Sequence, residues 1–194
     1  MKKYFVLIAT IAINVAFGQS WTKNYDYVDE SNDGLAKVQK NQKIGFVNEK
    51  GKLVIPLTYD DSYRFSEGMV AVKSAGKWGY IDTAGTVIIP LQYNEAYSFS
   101  EGFAKVGKQG HFGFINKKGT EVIMIKYTLA GKFTDGLAAV CNEKSLWGFV
   151  DENGKEIIGF KYGYAEQYND GVARVNKNGT WMTIDKSGKE TAVN

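Results

Sequence analysis

Few side chains in this 194-residue sequence could carry catalytic chemistry. There is one histidine, His111, and one cysteine, Cys141. A lone imidazole cannot complete a metal site, and with a single thiol there is little to build a nucleophile–base pair from. His111 reads as a solvated residue at the start of a strand, and Cys141 as a buried small hydrophobe. Carboxylates are plentiful, and two of them in a groove could act as acid and base. Those that recur in phase, Asp82, Asp151 and Asp185, open the runs "DTAG", "DENG" and "DKSG". Asp in first place with Gly in fourth is turn chemistry: the carboxylate bonds the backbone and Gly closes the turn. "DENGKE" lacks the ligand spacing of a calcium loop, and no phosphate loop, serine elbow or zinc pattern occurs. The expectation is therefore a non-enzyme with no catalytic residue, no metal and no cofactor.

Aromatic rings are the remaining chemistry. The chain has 12 Tyr, 11 Phe and 4 Trp, and aromatic faces can stack on sugar rings or anchor a protein partner. Tyr63, Tyr97, Tyr164 and Tyr168 fall in connecting stretches, which lie at the surface and carry function more often than strands do. They are the candidate binding residues. Trp78, Phe112, Trp147 and Trp181 instead sit in apolar strands and read as core.

The elements that position these residues come from a repeat. Gly45, Gly79, Gly113 and Gly148 follow one another at intervals of 34, 34 and 35 residues, with Met182 in the fifth place. Three further series keep the same phase: Gly51 to Gly188, Gly34 to Gly171, and Tyr25 to Tyr162. Each unit reads as three short strands and a connector. The first strand ("LAKV", "MVAV", "FAKV", "LAAV", "VARV") has small apolar residues at every second position, a period of two. The second carries the aromatic–Gly pair, as in "KWGYID", and is apolar on both faces. Gly at its centre leaves room for a neighbouring backbone or ring. The third, "TVIIP" in one unit, ends at Pro56 or Pro90. The units span approximately residues 25–56, 57–90, 91–124, 125–159 and 160–194.

"GKWGYID", "VIIP", "QYNEAYSFSEG" and "FAKV" resemble the bacterial WG-repeat (KWG) proteins from Tyr25 to about Thr191. Ile44 and Phe112 depart from the pattern by replacing Trp, and Met182 by replacing Gly. The resemblance implies an exported or surface-associated repeat protein and carries no catalytic residue with it.

The fold class expected is all-β: an open-ended tandem array of about five three-stranded antiparallel units. The alternative is a closed five-bladed propeller-like ring. Polar end units favour the open form, because capping repeats need a polar outer face. "KETAV" is more polar than "TVIIP", and Ser31 stands where other units have Phe65, Phe99, Phe133 or Tyr168.

Residues 1–18 read as a secretory signal peptide, with a basic start, an apolar run over 4–15 and small residues at 16 and 18. The run is shorter than the roughly 20 residues of a membrane span. The repeat domain then covers 19–194, exported to the periplasm, the cell surface or the medium, with no membrane span after signal removal. Loss of Lys2 and Lys3 lowers the formal charge from +3 to +1, which offers no electrostatic footprint for nucleic acid. The function expected is a binding or scaffold module for an unknown protein or a cell-envelope glycan. Glycan or peptidoglycan binding through surface aromatics is the alternative, and a hydrolase with groove carboxylates the third reading.

Overall fold

The computed structural model describes residues 20–192; the signal peptide read over 1–18 lies outside the described residues. Two kinds of tight turn set the architecture. In the first, two successive residues have positive φ, as at Glu67 and Gly68 (55° and 81°), and Ser66 and Met69 exchange both backbone hydrogen bonds across them. This is the type I′ geometry that matches the twist of a hairpin. In the second, Asn48, Asp82, Asn116, Asp151 and Asp185 each accept two backbone N–H bonds at 2.8–3.0 Å through Oδ1. The recurring carboxylates are thus turn caps, as their spacing predicts.

These turns fold the chain into five four-stranded antiparallel sheets. The first joins β1 (Tyr27–Asn32), β2 (Leu35–Lys40), β3 (Lys43–Asn48) and β4 (Leu53–Tyr59). The second joins β5 (Asp61–Ser62), β6 (Met69–Ser74), β7 (Lys77–Asp82) and β8 (Val87–Tyr93). The third joins β9 (Glu95–Ala96), β10 (Phe103–Lys108), β11 (His111–Asn116) and β12 (Glu121–Tyr127). The fourth joins β13 (Leu129–Thr134), β14 (Leu137–Cys141), β15 (Trp147–Val150) and β16 (Glu156–Tyr162). The fifth joins β17 (Tyr164–Ala165), β18 (Val172–Lys177), β19 (Thr180–Asp185) and β20 (Glu190–Ala192).

The array is all-β and not closed. Its principal contacts between sheets all join consecutive ones. Each unit has four strands where the sequence reads three. The connector supplies the extra one, because its first residues pair with the strand that follows, as Asp61 does with Lys73 and Ser62 with Val72. In the second, third and fifth units that strand has two residues, too short to show a period; β1 and β13 have six, but a register shift between Val28 and Ser31 and between Ala130 and Phe133 breaks theirs.

The sheets bury their faces on one another. Val70, Val72 and Ile81 of the second sheet pack on Phe46 and Ile55 of the first. On its other face, Ala71, Trp78 and Tyr80 pack on Phe99, Ala104 and Val106 of the third. The middle strand is therefore buried on both sides, as its composition requires.

Pro56 and Pro90 do not end their strands. Both lie inside β4 and β8, which are sheet edges where a missing donor costs no ladder bond. The chain bulges at this point: Trp78 pairs with Tyr93, but Tyr80 pairs with Ile89, a shift of register. The bulge explains the glycine. A Cβ built on Gly79 would lie 2.5 Å from Ile89 O and 2.7 Å from Pro90 C. Gly45, Gly113 and Gly148 face the same carbonyl in their own units. In the fifth sheet β19 and β20 pair in unbroken register, Met182 with Ala192 and Ile184 with Glu190. Without a bulge a side chain fits, so Met182 reflects a straight edge strand, whatever its place in the stack.

Candidate functional site

The residue before each of the four glycines, aromatic in three of them, meets a tyrosine across the bulged pair: Ile44 with Tyr59, Trp78 with Tyr93, Phe112 with Tyr127 and Trp147 with Tyr162. Its other side looks toward the connector tyrosines. Tyr63 lies 5.4 Å from Trp78 and 5.9 Å from Tyr97, centroid to centroid, and Tyr97 lies 6.4 Å from Phe112. Further along, Tyr164 lies 5.6 Å from Trp147 and 5.8 Å from Trp181. Two runs of touching rings result, one across the second and third units and one across the fourth and fifth.

Three of the four candidate tyrosines belong to these runs. Tyr63 is 38% exposed and Tyr164 47%, while Tyr97 is half-buried. Tyr168 does not belong. It is 1% exposed, packs edge-on against Phe149 and donates to the Asp185 carbonyl. It occupies the position of Phe65, Phe99 and Phe133, which is core in every unit where it is aromatic. Of the repeat-defining aromatics, Trp78 and Phe112 are buried and Trp147 is half-buried. Trp181 is 38% exposed because no further sheet follows it among the described residues.

Cations sit over the rings. Lys105 Nζ is 3.8 Å from the Tyr97 centroid and 5.2 Å from that of Phe112, and it donates to Ala130 O at 2.7 Å. Burial pulls its pKa down. The Arg174 guanidinium lies 4.9 Å from the Trp181 centroid and 3.6 Å from Glu166. Burial, and then the hydrogen bond it donates to Glu95, push the Tyr97 phenol up to about 12. These contacts hold the rings in place. The sequence reading missed the cations because Lys105 and Arg174 alternate with Ala71 and Ala139 at the same repeat position, which hides their phase.

The same comparison exposes a gap. Tyr63 and Tyr97 stand four residues after their series tyrosines, and the fourth unit has Gly131 there. Beside the second run of rings lies a cavity of about 400 Å³, lined by Gly131, Ala139, Trp147, Tyr164, Glu166 and Gln167 among others.

Elsewhere, His111 Nδ1 lies 3.3 Å from Gln109 O at the start of β11, and Cys141 is buried at the end of β14. Among the described residues no three His, Cys, Asp or Glu side chains are placed to hold a metal ion.

No curated protein matches the chain. Solved structures do, at low identity. BamB from Moraxella catarrhalis is 12% identical with a TM-score of 0.52, covering 84% of this chain and 59% of its own. The computationally designed Ika8 protein is 13% identical with a TM-score of 0.51, covering 86% and 64%. Kluyveromyces lactis Hsv2p is 13% identical with a TM-score of 0.50, covering 86% and 61%. The chain spans about three-fifths of the length of these propeller-like neighbours, and the likeness is one of fold. The WG containing repeat matches residues 22–43, 44–78, 78–110, 112–144 and 147–181. With the aromatic–Gly pair, its bulged partner strand and the repeat match in step along nearly the whole described chain, the protein belongs to the WG containing repeat family.

Proposed function

We propose that the protein is a non-enzymatic binding module that presents the aromatic face of its repeat array to a protein or glycan of the cell envelope. The observation that carries this reading is the row of part-exposed rings, Tyr63, Tyr97, Trp147, Tyr164 and Trp181, held by contacts from four consecutive units. Large rings anchored beneath and open above are the usual energetic centre of a recognition surface. The exported state expected from the leader sequence supports an envelope partner.

The test is capture from envelope extract by the wild type and by the Tyr63→Ala/Tyr164→Ala double variant. Both side chains are exposed, so the variant should melt within a few degrees of the parent, as surface substitutions do, and lose most captured material. Equal capture by the two proteins would refute the reading. Trp78→Ala is the folding control: this ring is 8% exposed, and emptying such a site costs about 3–5 kcal/mol.

A further inference from the structure

The cavity at Gly131 is best understood against its sister units. In the second and third units the equivalent space is filled by the protein's own ring, Tyr63 or Tyr97. Those two rings touch at 5.9 Å, and each meets the aromatic residue of its own middle strand at 5.4 or 6.4 Å. In the fourth unit Gly131 removes the ring and Ala139 stands where the third unit has Lys105. The middle-strand aromatic remains: half-buried Trp147 lines the space, and Tyr164, packed against it at 5.6 Å, lines it too. The repeat has built the walls of a ring site and left out the ring.

We propose, building on the aromatic-face reading above, that this cavity is a saccharide subsite that takes one hexopyranose ring over Gly131 and Ala139, beside the Trp147–Tyr164 pair. Its volume of about 400 Å³ falls in the span of small-ligand sites, about 300–1,000 Å³. The floor of Ala130, Gly131 and Ala139 is apolar, as the C–H face of a pyranose requires. At the rim stand Glu166 and Gln167, a carboxylate that accepts from hydroxyls and an amide that both donates and accepts. A sugar offers hydroxyls around its whole edge and can meet both groups, whereas a tyrosine from a protein partner has one. The polar rim therefore favours the saccharide. Trp181, 5.8 Å beyond Tyr164, gives a linear oligosaccharide a neighbouring platform.

The sister units also supply the test. Gly131 has no positive φ, and a Cβ there meets its nearest neighbours at 3.6 and 3.8 Å, ordinary contact. Gly131→Tyr should therefore fold and plug the cavity in the manner of Tyr97. The full chain is titrated calorimetrically with β-1,4-linked tetramers of N-acetylglucosamine and of glucose. At least one should bind the wild type, and Gly131→Tyr should weaken it by about tenfold or more, a free-energy change of about 1.4 kcal/mol, with no fall in melting temperature. The proposal is overturned if neither tetramer binds or if Gly131→Tyr binds as the wild type does. It is also overturned if only a short tyrosine peptide, acetyl-Gly-Tyr-Gly-amide, binds and Gly131→Tyr abolishes that, since the occupant is then a protein side chain. In each of these cases the wider reading survives if Tyr63→Ala/Tyr164→Ala still loses envelope capture, and falls with the subsite if it does not.

Discussion

A methyl group on Gly79 would lie 2.5 Å from the Ile89 carbonyl oxygen, closer than relaxed atoms come. The obstacle is backbone, which cannot rotate away as a side chain would. Gly79→Val should destabilise the protein by roughly 1–3 kcal/mol, the usual cost of overpacking. Met182→Val, at a part-buried site opposite an unbulged strand, should cost less than Gly79→Val, since a smaller side chain meets no backbone there. Paired urea melts measure both, and equal midpoints would remove the bulge from the explanation of the glycine. The sequence shows that a close approach is needed, because glycine recurs in an otherwise apolar strand. It does not show what approaches, since the bulge arises from register between two strands and leaves no residue of its own. Tyr168 fails as a surface candidate for a related reason. Its type suggests a polar-tipped surface ring, while its phase matches Phe65, Phe99 and Phe133, and phase decides where a repeat residue points.

The strands differ in how firmly they are held, and the last is held by charge. Glu190 in β20 accepts from the Tyr162 hydroxyl at 2.8 Å and pairs with Lys161 at 3.0 Å and Lys177 at 3.1 Å. The Tyr162 bond first, then the two lysines, pull the Glu190 carboxyl from 4.5 to about 2. Because the folded value lies below the unfolded one, this contribution is complete above about pH 4.5 and fades as pH falls toward 2. Glu190→Gln should therefore melt below the wild type at neutral pH, with the gap closing through that window. A gap that is constant with pH would mean the carboxylate charge is not what docks β20. At this scale the hairpins were legible from their Asx and Gly turns. The fourth strand was not, since in three units it is only two residues at the start of a connector, and in β1 and β13 a register shift breaks the alternation.

The whole molecule is a chain of neighbour contacts. At one edge the turn acids link units in series: Asp33 accepts from Gly68 N at 3.0 Å, Glu67 from Gly102 N, Glu101 from Gly136 N and Asp135 from Gly171 N. Removing residues 68–101 joins Glu67 to Gly102, which restores the two-residue turn and leaves Glu67 to meet Gly136. The shortened protein should stay folded, with its strand circular-dichroism signal per residue unchanged, because repeat stability is close to a sum over neighbours. Collapse of that signal would show a closure that these contacts do not contain. The two end faces are not alike. Ile55, Ile89, Ile123 and Ile158 each cover the turn glycine of the following unit, and at Gly51 the Trp21 indole takes that part. Trp21 and Tyr25 lie over Ala36, Val38 and Val47 of the first sheet. Head-to-tail growth needs an open socket as well as a matching plug, and heterologous contacts that do not close give fibres. Trp21 occupies the socket. Trp21→Ala should convert a protein that elutes at a fixed size into one whose mass, by light scattering, climbs with concentration. A variant that unfolds without associating would make the indole a fold stabiliser only. The same ring that completes the first core would thereby set the number of chains in the particle.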